Sequence, residues 1–403
     1  MLTHFLNKGD TFLEHEYKYL LCLLGNFLCN QSSEEAPELN WQKLIQLAHI
    51  HNVLGILGYM TMKHPICPDE NLRKYLRQIC LNTISVYTNR ASKMHTLIQQ
   101  MNQKGIDHIL MKGYVVREYY PVPELRTFGD IDFVIRQKDR EKTHALMLEL
   151  GFQPKTDWEP VYSYVRDDEF YEIHSEIMEV DISDKADCIE YFRRMWDYAQ
   201  LKEDHTYHFT PEFHFLYLIA HIAKHVQSAG AGARMYLDIA VFLQHFNNIL
   251  DWNLIQRELR VLKLDVFADT VLTAVEEWFG VPCPFEHQRP GQDVMNEFRD
   301  FTMEAGIFGK HNRETAINTL KRESDKQSRF RTLVNRAFPP AETIKTRYTY
   351  LQDKPWLLPA AWVHRLIKTK DRLGAHAHEA RVLLTADETE VKQLQQLMRG
   401  IGL

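Results

Sequence analysis

The chain has 403 residues, 45% hydrophobic and 25% charged, with a formal net charge of -6. That is the composition of a globular protein with mass for two or three domains; nucleic acid stays open as a partner, but net charge does not point to it. Six scattered cysteines without a CxxC pair fit reduced thiols in a cytoplasm, no run of about 18 apolar residues suggests a membrane span, no secretory leader is evident, and Walker A, GxSxG, HExxH and full GxGxxG motifs are absent.

Apolar residues recur at helical spacing over Glu16–Cys29 and again over Trp41–Met62, where Asn40 is placed to cap. Asp69 precedes a long amphipathic run to Lys104, and Gly105 sits where a left-handed helix stop is favoured. Residues 1–105 therefore read as a helical lobe. Its His49 and His51 read as packing or surface residues.

The α/β signal begins at Ile106. A strand to Met111 is expected, then a turn at Lys112-Gly113, a short helix, a proline-broken loop carrying Arg126, and a strand opening Gly129-Asp130-Ile131-Asp132. Strand alternation puts Asp130 and Asp132 on one face at an exposed strand start, with Ile131, Phe133 and Ile135 burying the other. Two carboxylates held together repel unless a cation offsets them, and hard oxygen ligands suit Mg²⁺. Two such ions about 3.5–4 Å apart can hold the attacking and leaving oxygens of a phosphoryl displacement.

Asp139 is placed to cap a helix that Gly151 closes, and alternating stretches follow at Val161–Val165, Phe170–Ile177 and Met178–Ile182. In the middle stretch Glu172, His174 and Glu176 share a face. His174 reads as orienting a metal ligand or as simple packing.

Lys112-Gly113, Arg126, Gly129-Asp130-Ile131-Asp132-Phe133 and Gly151-Phe152 together resemble the DNA-polymerase-β-type nucleotidyltransferase superfamily, and within it a branch of uncharacterised bacterial nucleotidyltransferase-like proteins. Lys112-Gly113 replaces the superfamily's usual Gly-Ser or Gly-Gly, so a serine that would touch the triphosphate is missing. The resemblance implies an Asp-x-Asp pair binding two Mg²⁺ ions, with Mn²⁺ as a substitute, and a third carboxylate from a later strand. Glu172 in Glu-Ile-His is assigned to that place, with Asp181 as the alternative. Lys112 and Arg126 are expected to neutralise phosphate charge, and Gly113 and Gly129 to let the backbone approach it.

The chain turns helical again after about Asp204. Thr210-Pro211 supplies a cap and first-turn proline for a helix carrying His221, Lys224 and His225. His-x-x-x-His suggests a metal pair for hydrolysis, but zinc needs further ligands and no HExxH supplies a base. The resemblance favours a helix that closes the nucleotide cleft, with Lys224, His225 and Arg234 meeting phosphates or acceptor and Asp238 pairing with Arg234 at helical spacing. Asp251 is placed as a further cap. Lys310–Arg347 is rich in basic residues diluted by acidic ones and reads as a solvated face. Phe338–Trp362, punctuated by prolines, reads as an extended strap packing Trp356, Leu357, Leu358 and Trp362 on a neighbour.

The expected architecture is α+β: a small mixed-sheet core over 106–200 between helical regions at 1–105 and 201–403. The expected activity is transfer of a nucleoside monophosphate from an NTP to an unidentified acceptor hydroxyl, catalysed at Asp130, Asp132 and Glu172. A non-catalytic nucleotide-binding or interaction module on the same fold is the alternative.

Overall fold

The structure, a computed structural model, describes residues 12–34, 39–158, 160–178, 182, 186–228, 230–283, 285–305, 338–344, 348, 350–368 and 388–403. The chain divides into two compact units, one comprising Met1–Val226, Gly230–Phe308 and Ile401–Leu403, the other Gln227–Ala229 and Gly309–Gly400. Among the described residues no helix is long and apolar enough to cross a membrane. All six cysteines are free.

The first unit opens with four helices: α1 (Phe12–Leu28), α2 (Trp41–Ile50), α3 (Leu54–Lys63) and α4 (Glu70–Gln103). The side chains of Asn40 and Asp69 accept the Lys43 and Leu72 amides at 3.1 and 2.7 Å, satisfying orphan donors at the starts of α2 and α4. Glycines in α3 let α4 approach closely: a Cβ on Gly58 would lie 2.4 Å from the Leu76 carbonyl oxygen. The far half of α4 sends Met94, Leu97 and Met101 into the core under the sheet. Gly105, at φ +63°, ends the run.

Seven strands then form one sheet in the order β3-β4-β5-β2-β1-β7-β6, where β1 is His108–Leu110, β2 Ile131–Ile135, β3 Gln153–Trp158, β4 Val161–Arg166, β5 Glu169–His174, β6 Ala199–Glu203 and β7 Thr206–Phe209. β2 is antiparallel to β1 and parallel to β5, and β7 is parallel to β1, so the sheet is mixed. Strands β3, β6 and β7 were not expected from the sequence. β3 and β6 are the two edges, and their polar QPKTDW and AQLKE lack the apolar alternation that marks a half-buried strand. The sheet thereby runs on past residue 200, to Phe209.

Between β1 and β2 lies the short helix α5 (Lys112–Val116), and α6 (Arg140–Glu149) follows β2. Asp139 stands at the start of α6, but its side chain makes no capping hydrogen bond. One sheet face, with Ile131, Phe133, Ile135, Tyr171 and Ile173, packs on α4 and α6. After the sheet come α7 (Cys188–Arg193), α8 (Pro211–Ser228), α9 (Ala233–Phe246), α10 (Trp252–Val261), α11 (Asp265–Phe279) and α12 (Gln292–Ala305). Asp251 caps α10 through the Leu254 amide at 3.0 Å.

In the second unit the proline-rich run is helical rather than extended. Pro355 opens a 3₁₀ turn (Pro355–Leu357) and Pro359 falls in the first turn of the helix Leu358–Lys368, where a missing N–H costs nothing. Trp362 donates to the Pro339 carbonyl at 2.8 Å, while Trp356 is 70% exposed instead of packed. The basic residues at 310–337 lie outside the described residues.

Candidate active site

Register places the carboxylates. In the parallel pairing of β2 with β5, Asp132 stands opposite Glu172 and Val134 opposite His174. Both pairs point to the sheet face away from α4, since period-2 alternation sends Phe133 and Ile173 into the core. Asp132, Glu172 and His174 each offer a ligand atom, and these atoms all lie within 4.8 Å of one another. Two carboxylates and an imidazole are donors a divalent ion accepts, so the residues fit a divalent metal site.

Asp132 is buried, not at an exposed strand start, and its Oδ1 receives the Lys112 ammonium at 2.7 Å and lies 2.8 Å from His174 Nε2. Burial alone would raise its pKa; Lys112 and His174 outweigh that and hold the carboxyl well below the ordinary range. Lys112 mirrors it. Burial works against its charge, yet Asp132 and, more weakly, Tyr217 and Asp130 hold the ammonium above its usual value. Glu172 is half-buried, and its Oε2 lies 3.9 Å from His174 Nε2. His174 Nδ1 is buried with no hydrogen-bond partner.

Asp130 precedes β2 in a bend, exposed, and is not one of the three convergent ligands. Its charge acts on Lys112 and Arg126. Strand pairing begins only at Ile131, so the group that converges is Asp132 with Glu172 and His174, and Asp130 stands just outside it. Asp181 lies outside the described residues.

The start of α5 is unusual in that Lys112, not Gly113, has the left-handed backbone, at φ +54°. Gly113 is needed for a different reason: a Cβ there would sit 2.0 Å from Arg126 Nη1. The guanidinium lies against the bare Cα, so this glycine makes room for an arginine. Gly129 has no such neighbour, and a Cβ on it would meet nothing within 4 Å.

Arg126 is buried and committed. Its Nε donates to Asp238 Oδ1 at 3.0 Å, Nη2 donates to Oδ2, and Nη1 donates to the Thr127 carbonyl at 3.0 Å. Tyr120 Oη donates to Asp238 at 2.7 Å. The expected pairing of Asp238 with Arg234 is therefore replaced by a bidentate pair with Arg126 across 112 residues. Arg234 instead donates to the Thr127 carbonyl at 2.7 Å; burial, then the adjacent Arg126, push its pKa down to about 10.

Helix α8 brings Tyr217, His221 and His225 within electrostatic reach of Lys112 and Asp132. The two histidine rings pack edge-on at 4.6 Å. Burial, followed by Lys112, Lys224 and Arg234, pushes the His225 pKa down to about 4, so the ring is neutral near pH 7. Among the described residues His221 and His225 belong to no group of three metal-ligating side chains, which leaves the hydrolytic metal pair without its further ligands.

The family model described as "Uncharacterised nucleotidyltransferase" matches residues 37–280. Comparison with curated proteins finds no match. Among solved structures, the solution structure of the antibiotic-resistance factor ANT(2'')-Ia is similar at 11% identity, covering 43% of this chain and 92% of that one with a TM-score of 0.33, too slight a likeness to decide anything about the site.

Proposed function

This chain belongs to the family of uncharacterised nucleotidyltransferases, and on that premise we propose that it moves a nucleoside monophosphate from an NTP to an acceptor hydroxyl with release of pyrophosphate. The observation that carries the reading is the β2–β5 register, which sets Asp132 against Glu172 with His174 two residues on, all three ligand atoms within 4.8 Å. Bound there, Mg²⁺ or Mn²⁺ would supply Lewis acidity to a phosphoryl oxygen and acidify the acceptor hydroxyl. The acceptor oxygen bonds to the α-phosphorus as its bond to the β-bridging oxygen breaks, and the hydroxyl proton leaves to water.

The protein's own groups divide the work. Asp132 stays ionised throughout because Lys112 and His174 hold its proton off. Glu172, less buried than Asp132, is the carboxylate suited to meet the incoming acceptor. Lys112, Lys224 and Arg234 all act on His225, so positive charge gathers where α8 and α9 approach the carboxylates, as a triphosphate requires. Asp130, outside the convergent three, tempers that charge through Lys112.

The test offers labelled NTPs with Mg²⁺ or Mn²⁺ and a host lysate, and follows pyrophosphate release together with the fraction that gains label. The ammonium on Asp132 favours one other reading, a nucleotide-binding module without turnover. Such a module binds NTP in calorimetry but releases no pyrophosphate.

A further inference from the structure

We propose that Lys112 stands in for a second divalent ion, so that the nucleotide-free protein holds one metal per chain, at Asp132, Glu172 and His174. This rests on the transferase reading above and specifies how its cation site is built. A bridging ion in a two-ion phosphoryl-transfer site sits on a carboxylate shared by both metals. Here the carboxylate at the centre of the group, Asp132, already carries a cation: the Lys112 Nζ lies 2.7 Å from Oδ1, and the charge of Asp130 acts on it as well.

The ammonium is delivered by a fixed turn. Lys112 adopts φ +54°, a region that favours glycine, and the residue after it is pinned by the Arg126 guanidinium that occupies the space of a Cβ at 113. Arg126 is in turn held by Asp238. A lysine ammonium is a compact point charge, which suits it to an ion's position better than a planar guanidinium would.

The Lys112 ammonium already supplies positive charge at Asp132, where the second ion of a two-ion site would sit. A second ion would share Asp132 and draw on Asp130, which stands outside the convergent group and whose charge acts on Lys112.

Mn²⁺ alone, titrated into the full-length chain without nucleotide and counted by electron paramagnetic resonance, tests this. The wild type is expected to take up one equivalent and Lys112→Met two, with Lys112→Arg remaining at one. Should Lys112→Met fail to fold, Lys112→Gln, which keeps a hydrogen bond to Asp132, takes its place. A wild type that binds two equivalents, or a neutral variant that still binds one, overturns the proposal and leaves the transferase reading standing. A wild type that binds none overturns the metal-dependent reading itself.

Discussion

Replacing Asp238 tests whether the bidentate pair with Arg126 holds the candidate site's turn in place. Both side chains are under a tenth exposed, at 8% and 7%, and Asp238 also accepts the Tyr120 hydroxyl. Asp238→Ala removes all three hydrogen bonds and leaves the Arg126 charge buried beside Arg234, with no carboxylate between them. Removing one partner of such a pair costs about 3–5 kcal/mol, because the other charge stays desolvated and unpaired. Asp238→Asn keeps the shape but weakens charge-assisted bonds to neutral ones, and is expected to lose about 1–3 kcal/mol. Urea unfolding followed by tryptophan fluorescence reads the loss as a fall in midpoint at constant slope. The double variant Asp238→Ala with Arg126→Met, which removes both charges, should be more stable than the sum of the singles predicts. A loss below about 1 kcal/mol for Asp238→Ala, or strict additivity in the double variant, would refute the buried-pair account.

Gly113→Ala is expected to displace the Arg126 guanidinium, since its Cβ would fall 2.0 Å from Nη1, and to destabilise by about 1–3 kcal/mol in the same unfolding assay. Asp132→Asn should lower pyrophosphate release by at least about 10²–10³-fold in the labelled-NTP assay; turnover within tenfold of wild type would remove Asp132 from the chemistry. His174→Gln should weaken Mn²⁺ binding roughly 10–100-fold, measured by calorimetry. Acid should destabilise the fold through His51, whose Nδ1 accepts the Ala233 amide at 3.1 Å while Nε2 lies 3.2 Å from the Met303 carbonyl, an arrangement for a neutral ring. Burial pushes its pKa from 6.5 down to about 4, so the unfolded chain binds the proton first. The stability from this residue is complete above pH 6.5 and lost as pH falls toward 4, about 3 kcal/mol in all, and His51→Gln should flatten that part of the pH–stability curve.

What the sequence disclosed was what depends on local pattern. The caps at Asn40 and Asp251 were legible because an Asx side chain reaches an amide three residues on. Asp132 and Glu172 were legible because each alternates out of an apolar strand. That Asp130 stands outside β2 was not legible, because alternation alone cannot tell where strand pairing starts. His174 carries the same signal, at i, i+2 from Glu172. The partner of Arg126 was hidden for another reason: helical spacing offered Asp238 a nearby Arg234, and only tertiary packing brings Arg126 to it from 112 residues away. The two edge strands escaped notice because edges tolerate polar, proline-bearing sequence.

Helix α4 runs 34 residues with neither glycine nor proline in its interior, about 50 Å at 1.5 Å per residue. One end is wedged into α3 and the other lies beneath the sheet, so the two are geared to a single shaft. Deleting one residue midway along it would turn everything beyond by about 100° and swing Met94, Leu97 and Met101 out of their sockets. A single-residue insertion or deletion is thus expected to be tolerated in the loops at its ends far better than along the shaft.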